Sequence, residues 1–157
     1  MIGRYVSVLR GDYMDEFAGH PNRSTDTILW DTTAKKRISI RPFFKETADG
    51  GATMRTLATA IRAALVADKK ARDVSDVDKD PSIGNVKPNI LSIGGIALAP
   101  STEKGKASGL IAYFPPYAVG PYIEGDYVLF VPWTAFKDRL SAAGLALFGG
   151  ARPADDA

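Results

Sequence analysis

Apolar positions recur along this chain at two periods, and the change from one to the other divides it into short strands and two helices. Tyr5, Val6, Val8 and Leu9 within RYVSVLR give a first strand pattern, with loose alternation. GDYMDEFAGHPNRS, which follows, reads as a polar turn region. TDTILWD (Thr25–Asp31) and RISI (Arg37–Ile40) flank the polar stretch TTAKK and predict a β-hairpin, with Thr27, Ile28 and Trp30 suited to one arm and Ile38 and Ile40 to the other. Pro42-Phe43-Phe44 ends the second arm with two large apolar side chains, expected to anchor the hairpin to the core.

Met54, Leu57, Ile61, Ala64 and Leu65 recur at three- and four-residue spacing and predict a helix from Thr53 to about Ala71. Asp68 takes the next position on that stripe, so the buried part is expected to end near Leu65. Arg55 and Arg62 point away from the stripe, toward solvent. Lys69, Lys70 and Arg72 crowd the C-terminal end, where the helix dipole favours cations. Arg72–Pro88 is a polar, acidic loop without periodicity. Asn89–Ala99 gives two strand patterns on either side of Gly94-Gly95, read as a tight turn. Leu110–Phe114 and Asp126–Val131 are further strands. Trp133, Phe136, Leu140, Ala143 and Leu147 share one stripe of a C-terminal helix, with a break expected at Gly144.

Strands thus come before, between and after two helices with no βαβ alternation. The fold class is α+β: a mainly antiparallel sheet, one long helix packed across a face, and a C-terminal helix.

A length of 157 residues and 45% hydrophobic content suit one domain with a real core, placed at residues 1–150, with 151–157 a disordered tail. Lys+Arg 20 against Asp+Glu 18 leaves a formal charge of +2, and no segment clusters the Lys/Arg that nucleic-acid binding needs. The absence of cysteine excludes a disulfide framework, a thiolate zinc site and a Cys nucleophile. No apolar run approaches the ~20 residues of a membrane span, and MIGRYVSVLRGDY is patterned as a strand, not as a signal peptide.

Candidate chemistry is sparse. Asp76-x-Asp78-x-Asp80 has the spacing that opens a calcium loop, but Pro81 stands where the turn glycine belongs and Lys87 where the bidentate carboxylate belongs. The ordinary solvated loop is therefore the stronger reading, and no metal or other cofactor is expected. His20 is the only imidazole; Asp12, Asp15 and Glu16 lie near it in sequence, and a structural role in its turn outweighs a catalytic one. G-x-S-x-G, H-E-x-x-H, P-loop and dinucleotide motifs are all missing, so no catalytic residue is assigned.

What stands out is the stretch from Leu110 to Phe136, which holds four of the six tyrosines and four of the ten prolines. Pro115, Pro116 and Pro121 stiffen its loop, and Gly120 and Gly125 allow tight turns. Tyr117 and Tyr122 then stand either as pre-ordered binding groups or as plugs closing the sheet edge. Both readings remain open from the residues alone.

Phe114-Pro-Pro-Tyr-Ala-Val-Gly-Pro-Tyr122-Ile-Glu-Gly125, followed by an aromatic and aliphatic strand, Pro132 and a helix, resembles a bacterial domain family of unknown function. It is the C-terminal domain shared by the lysozyme-sensing anti-sigma factor RsiV and the peptidoglycan deacetylase PdaC, in which it is separate from the deacetylase catalytic domain. Phe17-Ala18-Gly19-His20, Trp30-Asp31, Phe43-Phe44 and the helix from Thr53 match the family in order, so the likeness covers nearly the whole chain. Phe17-Ala18 replaces the family's glycine pair, and the resemblance leads to the expectation that the smaller domain which usually precedes this one is lacking here, as in a truncated or late-started chain.

The resemblance implies a periplasmic or extracellular setting and non-catalytic capture of a partner. The expectation is therefore a non-enzymatic cell-envelope domain that binds a protein such as lysozyme, or peptidoglycan, through Pro116, Tyr117, Pro121 and Tyr122, with His20 and Asn22 on a neighbouring loop. The alternatives are a glycan-active enzyme using His20 and nearby carboxylates, and a structural module of a larger envelope protein. A net charge of +2 offers a basic lysozyme no electrostatic steering.

Overall fold

The computed structural model describes residues 1–14 and 22–156, with the side chain of Asn22 left out. The chain is α+β as expected, but its strands divide between two antiparallel three-stranded sheets, β1-β2-β3 and β4-β5-β6. The first comprises β1 (Tyr5–Met14), β2 (Asn22–Asp31) and β3 (Lys36–Ile38). Gly11–Met14, read from the sequence as turn, continues β1: Tyr5 pairs with Asp31 and the ladder runs out to Met14 opposite Asn22. Cross-strand pairing carries those polar residues as strand even though they have no apolar alternation of their own. The predicted hairpin of β2 and β3 is present, with Leu29 opposite Ile38, and Asp31 closes its turn by accepting the N–H groups of Thr33 and Ala34 at 3.0 Å.

Phe43 and Phe44 follow β3 into the core, as their size required. Phe43 stacks edge-on against Tyr5 at 5.1 Å and against Phe148 at 6.1 Å, tying the first sheet to the end of the chain. Helix α1 (Ala52–Ala71) starts at Gly51, where Glu46 takes the place of a capping side chain by accepting the Thr53 N–H at 2.7 Å. Its buried face is Thr53, Met54, Leu57, Ala58, Ile61, Leu65 and Lys69, so the stripe runs one turn past the expected end at Leu65. Position 69, not position 68, lies four residues beyond Leu65 on the same face, and a lysine is buried there. Arg55 is exposed as expected, whereas half-buried Arg62 lies back and donates to the Val86 carbonyl at 2.8 Å.

The second sheet comprises β4 (Gly95–Ala99), β5 (Gly109–Phe114) and β6 (Tyr127–Pro132). Leu110, Ala112 and Phe114 on β5, with Tyr127, Leu129 and Val131 on β6, form its buried face, and they join the helix stripe in one core cluster. The two strands predicted around Gly94-Gly95 do not form a hairpin. Only the second is a strand; the first is a turn in which the Ser92 N–H reaches the Asn89 carbonyl at 3.1 Å and Leu91 is exposed. The outer edge of β4 is covered by the first sheet, where the Leu98 N–H donates to Ser7 Oγ at 3.0 Å.

The C-terminal helix is shorter than its stripe. Trp133–Ala135 and Lys137–Arg139 are single 3₁₀ turns, and only α2 (Ala142–Leu147) is α-helical. The interruption falls at Leu140 and Ser141, not at Gly144. Leu140 is extended and bridged to Phe44, and Ser141 then caps α2 by accepting the Gly144 N–H at 3.2 Å. Gly144 serves packing instead: a Cβ there would collide with the Phe43 carbonyl oxygen. Beyond Gly150, where a frayed tail was expected, the Arg152 guanidinium lies 5.1 Å from the Phe130 ring centroid, and Ala154–Asp156 forms a 3₁₀ turn. Among the described residues, no helix is long and apolar enough to cross a membrane.

Candidate functional site

Two turns shape the loop between β5 and β6. In Pro115-Pro116-Tyr117-Ala118 the Ala118 N–H bonds to the Pro115 carbonyl at 3.1 Å, and Tyr117 has φ +71°. Proline second and a positive φ third make this a type II turn, whose third position ordinarily goes to glycine. A tyrosine there carries its Cβ in the left-handed region, which costs about 1–2 kcal/mol. Tyr117 is 56% exposed. After Val119 turns into the core, Tyr122–Glu124 forms a 3₁₀ turn closed by the Glu124 N–H to the Pro121 carbonyl at 3.1 Å. That turn sends Ile123 out, 93% exposed, and Glu124 in. The Tyr117 and Tyr122 rings lie 5.7 Å apart, tilted by 40°. Tyr122 is half-buried, so the two tyrosines divide between the open readings: one outward, one partly packed.

Behind the loop stands a buried ionic cluster. Lys69 has no exposed side-chain surface, and its Nζ contacts Asp80 Oδ2 at 2.7 Å and Glu124 Oε2 at 2.6 Å. Tyr127, also fully buried, donates its hydroxyl to the same Glu124 oxygen at 2.6 Å. Burial alone would push the Lys69 ammonium down, but its hydrogen bonds to Asp80 and Glu124 outweigh it, and its pKa lies above the ordinary lysine value. Asp80 shows the mirror image: burial would raise it, while Lys69 and Ser82 hold it below the usual aspartate range. Tyr127 is pushed up to about 12, first by burial and then by its bond to Glu124.

Other bonds hold the loop backbone. Arg72 donates to the carbonyls of Glu124 at 2.9 Å and Asp126 at 3.1 Å, its guanidinium 4.2 Å from the Tyr127 ring centroid. Ser82 Oγ donates to the Val119 carbonyl at 2.6 Å and Asn85 Nδ2 to the Ala118 carbonyl at 3.0 Å. The loop is therefore braced by the last turns of α1 and by the segment after it, the stretch that had read as featureless polar loop.

Of the residues proposed from sequence, Pro116, Tyr117, Pro121 and Tyr122 share this loop: Tyr117 and Pro121 exposed, Pro116 and Tyr122 half-buried. His20 lies outside the described residues. Asn22 begins β2, and its neighbour Arg23 pairs with Asp126 at 3.5 Å, which sets the start of β2 beside the end of the loop. Two of the three aspartates spaced like a calcium loop are engaged by lysines, Asp78 by Lys70 at 2.9 Å and Asp80 by Lys69 at 2.7 Å. Ile123, Lys69, Asp80 and Glu124 were missed as site residues. The signal for Lys69 was present, as the next core-facing position on the α1 stripe; the carboxylates that answer it are far from it in sequence and left none.

Residues 43–134 match the family described as "Protein of unknown function (DUF3298)", a span that takes in the long helix, the second sheet and the braced loop. The chain belongs to the DUF3298 family. Two solved DUF3298 structures share its fold. One, from Pseudomonas aeruginosa PAO1, has a TM-score of 0.65 at 16% identity, covering 93% of this chain and 59% of that one. The other, from Bacteroides fragilis NCTC 9343, has a TM-score of 0.64 at 15% identity, covering 90% of this chain and 51% of that one. The chain thus spans little more than half the length of those DUF3298 proteins. No curated protein matches it.

Proposed function

We propose that this DUF3298 domain is a non-enzymatic binding module of the bacterial cell envelope that grips a partner with the apex of its Pro-Tyr loop. The observation that carries the reading is Tyr117, held outward in a glycine conformation beside fully exposed Ile123, on a loop braced from behind. Unfavourable backbone states persist where their surroundings over-determine them, and they concentrate at functional sites. Aromatic side chains on a stiff loop also lose little entropy on binding. An exposed isoleucine on the same loop as the two rings suits a protein surface better than a sugar face.

The envelope setting and the first partner to test, lysozyme, rest on the resemblance to the RsiV and PdaC domain. Surface plasmon resonance against lysozyme, with sedimentation on purified peptidoglycan as a second arm, tests the reading. The expected result is saturable binding to lysozyme, weakened at least about tenfold by Tyr117→Ala and by Ile123→Ser without loss of fold. Binding to peptidoglycan alone would replace the protein partner with a glycan. Binding to neither, or binding indifferent to both substitutions, would overturn the assignment.

A further inference from the structure

β2 is ten residues long, but β3 pairs only with Leu29, Trp30 and Asp31. Among the described residues, no strand covers Asn22–Ile28 on that side. Backbone parity shows which groups face the gap. The Thr32 N–H bonds toward β1, to the Arg4 carbonyl at 3.0 Å, whereas the Thr27 carbonyl accepts from the Arg37 side chain of β3 at 3.0 Å. Alternate residues of a strand present both backbone groups to the same side, so Thr25 shares the direction of Thr27. This open edge forms one wall of a groove of about 610 Å³. Ile38 at the end of β3, Ile40 just beyond it, Ile90, Ile96, and Ala118 at the root of the Pro-Tyr loop supply apolar lining.

We propose that this groove takes an extended peptide segment of a partner protein, which adds as a strand to β2 at Thr25 and Thr27. An unpaired strand edge is complementary to another backbone, whose N–H and C=O groups repeat at the same spacing. The apolar lining then receives the aliphatic side chain that an extended peptide turns inward at every second residue. Arg37 guards the edge: its guanidinium holds the Thr27 carbonyl and, at 3.3 Å, the Asp26 carboxylate, and both side chains of that pair are more than half exposed. Such a pair is weak enough to be displaced. The groove and the loop apex are separate sites, since neither Tyr117 nor Ile123 lines the groove.

Titration of the full chain into fluorescein-labelled peptides of alternating isoleucine and serine, followed by fluorescence polarisation, tests the proposal. The same peptides N-methylated on alternate amides serve as the control. Saturable binding is expected, lost on N-methylation in the pairing register. It should weaken about tenfold or more in Thr25→Pro, which removes an edge-facing N–H, and in Ala118→Trp, which fills the groove. Arg37→Ala should tighten binding, and Tyr117→Ala should leave it unchanged, which separates this site from the loop. Absence of saturable binding, equal binding of peptides N-methylated in either register, or wild-type binding by folded Ala118→Trp would overturn it. So would a dimer of the chain whose formation excludes the peptide, since the edge would then belong to a second copy.

Discussion

Tyr117 occupies a turn position that glycine fills more easily, and this makes its backbone cost measurable apart from its ring. Alanine and glycine at position 117 both remove the ring and its 5.7 Å contact with Tyr122, but only alanine keeps the Cβ that the positive φ disfavours. In ordinary backbone, glycine is the less stable of the two because its unfolded chain is freer. Here the order should reverse: Tyr117→Gly is expected to exceed Tyr117→Ala in urea stability by about 1 kcal/mol. Equal stabilities, or alanine ahead, would mean that the left-handed turn is absent in solution. Proline and tyrosine content marked this loop in the sequence, but which tyrosine would face out was not legible there. That depends on the φ of one residue and on which of two turns it enters, and many sequences satisfy either turn.

At the scale of elements, α1 and the Pro-Tyr loop are joined through Lys69, and Gly120 is the place where the join is tightest. A Cβ on Gly120 would land on Glu124 Oε2 and within 2.9 Å of Lys69 Nζ. Removing the ammonium in Lys69→Met leaves two partly buried carboxylates without their cation, a loss expected at about 3–5 kcal/mol. Gly120→Ala should cost about 1–3 kcal/mol by forcing Glu124 aside. The two effects share one cluster, so the double variant should be less destabilised than their sum. Additive losses in urea denaturation would show that Gly120 does not sit over the cluster. Local periodicity made α1, the β2–β3 hairpin, β5 and β6 legible, because each carries an apolar face that must be covered. It failed at Gly11–Met14, whose strand comes from pairing with β2, and at residues 133–147, where one stripe spans two 3₁₀ turns and a short helix. The groove beside β2 was invisible for the same reason: it is an absence of pairing, set by how short β3 is.

Over the whole molecule, three carboxylates at separate corners set the response to acid. Asp31 is held below the ordinary aspartate value by the Ala34 N–H, with the Thr33 N–H and Arg4 adding to it against burial. Glu46 is lowered by the N–H groups of Thr53 and Ala48 at the start of α1, and Asp80 by Lys69 and Ser82 against its own burial. A folded pKa below the unfolded one contributes stability that is complete above the unfolded value, about 3.9 for Asp and 4.3 for Glu, and is lost as pH falls through the folded value. At the other end the sign reverses. Lys69 is raised, so its contribution is complete below about 10.4 and lost as pH rises through its folded value. Tyr127, at about 12 when folded, likewise favours the folded state below its unfolded value, with that advantage lost as pH climbs through about 12. None of these windows reaches neutrality. Thermal melting should therefore be flat between roughly pH 5.5 and pH 9, fall below about pH 4, and fall again above about pH 10. The chain has one histidine, so a step in melting temperature centred near 6.5 would contradict the plateau and assign a titrating role to His20. A plateau that Lys69→Met leaves intact in acid would remove the ion cluster from the account and leave Asp31 and Glu46 to explain the fall.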